Sequence, residues 1–187
     1  MMNFLDEFRR VIRGLEARGV EYAVVGGWAL AFHGVVRATD DIDLLIVTES
    51  VDDARQAALE LGFVIQNPVV SMHGGRIQLQ RVSRPEPEWV DGLLVLDFLL
   101  VTPEILDVWD GRERISTGFG EVSVVSLEGF VKLKQISGRA KDLADVEALL
   151  DVAEGLRREP GLPTTASGAE LAPDPPRGDR GDGGYQM

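Results

Sequence analysis

Two strongly apolar segments, residues 42–47 and 93–100, constrain the fold most, because each has the composition of a buried β-strand. Each contains an acidic residue, Asp43 in the first and Asp97 in the second. An unpaired carboxylate in an otherwise apolar strand is costly, so Asp97 needs a partner. If the two strands pair side by side in one sheet, their carboxylates converge on a common site.

The rest of the first 155 residues mixes helical and strand patterns. We predict helices over residues 4–15, 28–34, 50–61, 103–109, 127–136 and 141–152. We predict further strands over residues 22–27, 69–72, 76–82 and 121–125, with a hairpin joining the segments 69–72 and 76–82. Asn3 and Ser50 are the predicted caps of the first and third helices, and residues 83–88 are a predicted loop. The expected fold class is α/β (α+β), a mixed sheet flanked by helices with a helical C-terminal segment.

Composition separates the end of the chain from the rest. Residues 156–187 are rich in proline and glycine and show almost no aliphatic pattern. Such a stretch cannot bury enough apolar surface to offset its conformational entropy, so we predict a disordered tail. Residues 1–155 have the length of one domain, which is large enough to bury a proper core.

Charge and residue usage exclude several classes of protein. The 187 residues include no cysteine, so disulfides, thiolate metal sites and cysteine nucleophiles are ruled out. The net charge of −12 disfavours a surface that coats nucleic acid, although a local basic patch is compatible with it. The sequence shows neither a secretory leader nor an apolar run of membrane-spanning length, so we predict a cytoplasmic protein without a membrane partner.

The sequence around residues 41–43 predicts a metal site. Side chains alternate along a strand, so Asp41 and Asp43 project from the same face while Ile42 points to the core. Two ionised carboxylates held close together call for a cation between them, and Mg²⁺ binds few carboxylates and takes its other ligands from water and phosphates. Gly26 and Gly27, at the end of the preceding strand, would let the backbone approach a triphosphate at a helix start. Together these residues predict a site for a metal-bound nucleotide.

Asp97 strengthens this interpretation, because a third carboxylate beside the first two can help to hold one or two metal ions. Structural alternatives exist for each feature. An Asp-x-Asp pair with upstream glycines is usually an exposed strand end and a tight turn, and a charged residue in mid-strand can protect a sheet edge from aggregation. Trp28 is expected in the core.

The spacing of these residues resembles the nucleotidyltransferase superfamily: Gly26-Gly27, thirteen residues, Asp41-Ile42-Asp43, and then a later strand aspartate, Asp97. The stretch VGGWALAFHGVVRATDDIDLLI is similar to a small bacterial branch that includes abortive-infection toxin nucleotidyltransferases and is related to aminoglycoside nucleotidyltransferases. A second match lies in residues 127–145, where a lysine is followed by Gly-Arg-x-Lys-Asp and a further aspartate. The resemblance covers residues 21–150.

The resemblance implies a mixed sheet with flanking helices and Mg²⁺- or Mn²⁺-dependent transfer of a nucleoside monophosphate from an NTP. By position, Asp41, Asp43 and Asp97 would be the catalytic carboxylates and metal ligands. Gly26 and Gly27 would hold the triphosphate together with two basic residues, Arg37 and Lys134. Weaker candidates are Arg139, Lys141 and Lys132, the last as a substitute for Lys134, while Asp142 and Asp145 are expected only to start and line the last helix.

The acceptor stays open at this point. The family branch favours RNA and a toxin role, with an antitoxin as partner, whereas the acidic charge favours a cationic small molecule such as an aminoglycoside. The rival class is a nucleotide-binding or interaction module that keeps the fold without turnover. A partner-binding scaffold that acts through its tail is a second rival.

Overall fold

The computed structural model describes residues 3–89 and 91–158. The helices are α1 (Phe4–Ala17), α2 (Gly26–Phe32), α3 (Val51–Glu60), α4 (Leu106–Asp110), α5 (Leu127–Ser137) and α6 (Ala140–Arg158). The strands are β1 (Ala23–Val24), β2 (Asp41–Ile46), β3 (Ile65–Gln66), β4 (Val70–Met72), β5 (Ile77–Pro85), β6 (Leu93–Leu100), β7 (Glu113–Thr117) and β8 (Gly120–Val124).

All of these strands belong to one mixed sheet. Their order is β3-β5-β6-β2-β1-β8-β7, and β4 also pairs with β5. The two apolar strands β2 and β6 run parallel at the centre, with Asp43 opposite Asp97. Strand β5 lies antiparallel to β6 on the other side, with Arg81 opposite Asp97. The predicted side-by-side pairing of the two apolar segments is therefore confirmed.

Helix α1 covers the sheet face that points away from these aspartates. It begins at the predicted cap, where Asn3 Oδ1 accepts a hydrogen bond from the Leu5 amide at 2.9 Å. Its apolar side is buried, and the Phe8 ring stacks on Trp28 of α2 with centroids 4.3 Å apart, which confirms Trp28 as a core residue. Arg84 of β5 pairs with Glu7 of α1 at 2.8 Å. It lies three residues after Arg81, an odd number, so the two arginines point to opposite faces of the sheet. Because alternate residues of a strand face opposite ways, the carboxylates lie on the other face.

Several local predictions are wrong, each for a physical reason. Ser50 makes no side-chain cap: residues Thr48–Ser50 form a 3₁₀ turn, and the cap position has a near-helical ψ of 1°. Helix α2 starts at Gly26 rather than at residue 28, so the glycines belong to its first turn.

The strands also differ from the prediction. Part of the predicted 83–88 loop is strand, because β5 continues to Pro85 opposite Leu93 of β6. Strands β3 and β7 were not expected, since their short polar sequences carry little apolar pattern.

The last helix is longer than expected. Helix α6 runs through Arg158, so the first three residues of the predicted tail, 156–158, are helical. The rest of that tail lies outside the described residues. No helix in the described part of the chain is long and apolar enough to cross a membrane.

Candidate active site

Three carboxylates form a row across the centre of the sheet. Asp41 and Asp43 project from the same face of β2, and Asp97 of β6 lies directly beside Asp43 in the parallel register. Asp97 is buried, with 4% of its surface exposed, whereas Asp41 and Asp43 are half-buried. The convergence predicted from the sequence is thus present in the structure.

The partner of Asp97 is an arginine that the sequence analysis missed. Arg81 of β5 donates from Nε to Asp97 Oδ1 at 2.8 Å and from Nη2 to Asp97 Oδ2 at 2.6 Å. Such a two-pronged pair is among the stronger charge-assisted hydrogen bonds, and it satisfies the carboxylate in the apolar strand. The signal in the sequence was the Gln-Leu-Gln-Arg alternation of β5, but only the strand register places this arginine opposite Asp97.

The cations around the row do not balance the charge of its three acids. Burial first, and then the charges of Asp97 and Asp41, raise the pKa of Asp43 to about 6. The pKa of Asp41 is also raised, mainly by burial and next by the charge of Asp97. Raised pKa values mean that the folded chain disfavours its own ionised carboxylates, so this row is a place where a further cation would be stabilised.

The two glycines are required by the close approach of their neighbours. Gly26 has a φ of +63°, and a Cβ at this position would collide with the carboxylate of Asp43. A Cβ on Gly27 would lie 2.7 Å from Cβ and Oγ1 of Thr39. The glycine pair therefore lets the start of α2 pack directly against the carboxylate row.

A cleft of about 850 Å³ opens over the row, and it brings every residue of the predicted site together. Its lining includes the predicted residues Gly26, Gly27, Arg37, Asp41, Asp43, Asp97 and Lys134. Arg139 and Lys141 line it too. Lys132 instead pairs with the exposed Asp107 at 2.7 Å, which favours Lys134 over Lys132 as the cleft lysine.

Lys134 is held in a buried ion network at the edge of the cleft. Its Nζ donates to Asp142 Oδ1 at 2.8 Å and to Asp145 Oδ2 at 2.7 Å. Arg37 pairs with Asp145 at 2.8 Å, and Arg139 pairs with Asp142 at 2.9 Å. Burial alone would raise the pKa of both aspartates, but the hydrogen bonds from these cations outweigh it and lower both values. Asp142 and Asp145 therefore do more than start and line α6, since they fix three basic residues of the cleft.

The donor set fits a Mg²⁺ or Mn²⁺ ion bound by two carboxylates. No group of three or more histidine, aspartate or glutamate side chains among the described residues is arranged to hold a metal ion. The structure gives a reason, because both oxygens of Asp97 face Arg81. Asp41 and Asp43 remain, and Mg²⁺ is commonly bound through one or two carboxylates, with the other positions filled by water and substrate phosphates. The role of Asp97 as a third ligand stays a prediction.

Comparison with solved structures supports the fold. A Thermotoga maritima protein of proposed nucleotidyltransferase function superposes with a TM-score of 0.57 at 18% identity, covering 83% of this chain and 91% of that one. The antibiotic-resistance factor ANT(2″)-Ia, in complex with adenylyl-2″-tobramycin, superposes with a TM-score of 0.54 at 18% identity, covering 84% of this chain and 94% of that one. The lincosamide antibiotic adenylyltransferase LnuA, bound to lincomycin, gives 0.50 at 15% identity over 79% and 96%.

No family model and no curated protein matches the sequence. The structural likenesses nevertheless agree with one another and span most of each chain. The chain shares the fold of these solved structures, which is the fold that the spacing of its glycines and aspartates predicted.

Proposed function

We propose that this protein is a metal-dependent nucleotidyltransferase that moves a nucleoside monophosphate from an NTP to a hydroxyl-bearing acceptor. The observation that carries the proposal is the row of Asp41, Asp43 and Asp97 on one sheet face, inside a cleft whose other side is basic. Transfer of this kind needs a cation at the phosphates and a group that takes the acceptor proton, and the row has residues for both tasks.

Asp41 and Asp43 would hold the metal, which when bound neutralises charge on the triphosphate and favours departure of pyrophosphate. The backbone at Gly26 lies against Asp43 and that at Gly27 against Thr39, and both would border the triphosphate. Arg139 and Lys141 would offset its remaining negative charge from the opposite side of the cleft. Lys134 and Arg37 would contribute positive potential from their fixed positions in the ion network.

Asp97 would act on the acceptor side. Each of its oxygens accepts one hydrogen bond from Arg81 and retains a lone pair. As the acceptor oxygen bonds to the α-phosphorus and the bond to pyrophosphate breaks, the hydroxyl proton would pass to Asp97. Arg81 would orient this carboxylate toward the acceptor.

The test is transfer of label from each of the four α-³²P-labelled NTPs, ATP first, with Mg²⁺ or Mn²⁺ and with separate pools of RNA and small molecules. We expect label on one pool with the natural sequence and none with Asp41→Asn/Asp43→Asn. Label that appears equally with both proteins would contradict the proposed role of the two aspartates.

One observation favours the alternative of a nucleotide-binding module without turnover. Asp97, Lys134 and Arg37 are each engaged in ion pairs with other side chains of the chain. A module of this kind would bind an NTP in the presence of Mg²⁺ by calorimetry and would label no acceptor pool. Transfer sensitive to Asp97→Asn would exclude it.

The resemblance to abortive-infection toxins extends the proposal to cells, where an antitoxin would be the partner. For a toxin, induced expression arrests bacterial growth, and Asp43→Asn relieves the arrest. Unchanged growth with the natural sequence, together with transfer to a small molecule in vitro, would favour an acceptor-modifying enzyme of the antibiotic-modifying kind.

A further inference from the structure

The cleft has two chemically different sides. Its lysines and arginines other than Arg81 come from the loop before β2, from α5, from the link between α5 and α6, and from the first turn of α6. The opposite side is made by β4, β5 and β6, whose aliphatic and thioether side chains line the same cleft. These are Val70, Met72, Ile77, Leu79 and Leu99, which we call the apolar platform.

The platform is a continuous surface set by strand register. Leu79 lies opposite Leu99 on β6 and opposite Val70 on β4, and Met72 lies opposite Ile77. Neighbouring strands are about 4.8 Å apart, so cross-strand neighbours touch. Val70 is 49% exposed, and Met72, Leu79 and Leu99 are half-buried, so the surface is open to the cleft.

The platform adjoins the proposed acceptor carboxylate. Leu79 and Leu99 each lie two residues along their strands from Arg81 and Asp97, on the same face. Two residues of a strand span about 7 Å, so a molecule resting on the platform could present a hydroxyl to Asp97. The phosphates of an NTP are drawn to the basic side and to the metal, which leaves the platform for the other substrate.

We propose that the platform is the acceptor subsite, and that the acceptor is a small molecule with an apolar body and a hydroxyl group. This proposal rests on the proposed transfer reaction and names its substrate class. Phosphate-rich acceptors fit poorly, because Arg81 is already paired with Asp97 and the nearby Asp91 is acidic. A highly polar polycation would leave the apolar surface uncovered.

The test uses methyl, butyl and hexyl β-D-glucopyranosides, which carry the same hydroxyls and differ only in apolar length. Their dissociation constants are measured on the full chain by calorimetry, below micelle concentrations, with Mg²⁺ and a non-hydrolysable ATP analogue present. A fully buried methylene is worth about fourfold in affinity, so partial burial predicts at least a tenfold gain from methyl to hexyl. Equal or undetectable binding across the series would overturn the proposal.

Matched variants locate the binding. Val70→Asp is expected to weaken the hexyl compound at least fivefold, while Leu59→Asp, on α3 with a similar 42% exposure, should leave its affinity unchanged. If Val70→Asp does not fold, Leu79→Thr serves the same purpose. Affinity for the ATP analogue should stay within twofold in all of these variants; a loss confined to the platform variants would assign the surface to the nucleobase and overturn the proposal.

The same experiments would reveal two other possible uses of the apolar platform. If a second copy of this chain covers the platform, light scattering shows a dimer that Val70→Asp dissociates, and the glucosides do not bind. If RNA is the acceptor, it is labelled at the same rate in the natural protein and in Val70→Asp. Either result overturns the acceptor subsite while leaving nucleotidyl transfer intact, whereas failure to bind the ATP analogue with Mg²⁺ would refute the proposed function itself.

Discussion

The carboxylate row and the Lys134 network are both clusters of half-buried or buried aspartates, yet their electrostatics are opposite. In the row, the guanidinium of Arg81 pairs with Asp97, and the pKa of Asp43 rises to about 6. In the network, Asp142 and Asp145 are matched by three cations, and their pKa values fall. Burial acts in the same direction in both places, so the balance of charge decides the difference.

This difference in charge balance distinguishes the carboxylate row, the proposed active site, from the Lys134 network, which holds basic residues beside it. The network is satisfied by the chain itself and therefore holds Lys134, Arg37 and Arg139 in fixed positions. The row carries an excess of negative charge that the folded chain keeps at a cost in stability. Such an imbalance is expected where an external cation and a substrate complete the arrangement.

The largest expected effect comes from removing a charge from the row. Asp43→Asn keeps the shape of the side chain but removes a proposed metal ligand. Since a bound metal supplies several kcal/mol of transition-state stabilisation, we expect kcat/KM to fall by about 10³-fold or more. The measurement is the transfer of label under the conditions above. Asp52→Asn, at a side chain that is 91% exposed on α3, is the matched control and should retain full activity.

The network should show the next largest effect, on stability. Asp142→Ala removes a completely buried carboxylate and leaves Lys134 with one partner fewer. We expect the free energy of unfolding, measured with urea, to fall by about 3–5 kcal/mol. Asp107→Ala breaks the exposed pair with Lys132 and should change the unfolding midpoint little. Similar midpoints for the two variants would show that the network does not support the fold.

The pH dependence of stability should have opposite signs in the two clusters. The folded-state pKa of Asp43 is raised from 3.8 to about 6, so its ionisation lowers stability as the pH rises through that interval. At pH 7.5, Asp43→Asn should therefore have a free energy of unfolding up to about 3 kcal/mol higher than that of the natural protein, and it should unfold at a higher urea concentration. At pH 4 the two free energies should differ little. The lowered pKa values of Asp142 and Asp145 predict the reverse, a loss of stability as the pH falls below about 4.

The smallest expected effect tests the packing that joins α2 to the row. Gly27→Ala places a Cβ 2.7 Å from Thr39, and an overpacked position of this kind costs about 1–3 kcal/mol. Gly118→Ala, where nothing lies within 4 Å of the added Cβ, is the control for the substitution itself. Equal unfolding midpoints would show that Thr39 moves aside without cost, and the close packing would then not explain the glycine.

The fold was predictable where the sequence pattern is local. The strand at residues 93–100 was predicted to the residue, and the cap at Asn3 forms as expected, because apolar runs and capping side chains act over a few neighbouring positions. The cap at Ser50 failed because a 3₁₀ turn competes for the same residues. Strands β3 and β7 were missed because their stability comes from the neighbouring strand and not from their own composition.

By itself, the sequence predicted, from residue type and spacing, a candidate site made of the glycine pair, the three aspartates and Lys134, and these residues do line one cleft. Only the tertiary structure decided what each of them faces. Arg81 meets Asp97, and Lys134 meets Asp142 and Asp145, through strand register and helix packing that bring distant parts of the chain together. Charge balance in a buried site depends on distances in space, and for that reason the raised pKa of Asp43 and the lowered pKa of Asp142 could not be foreseen from spacing along the chain.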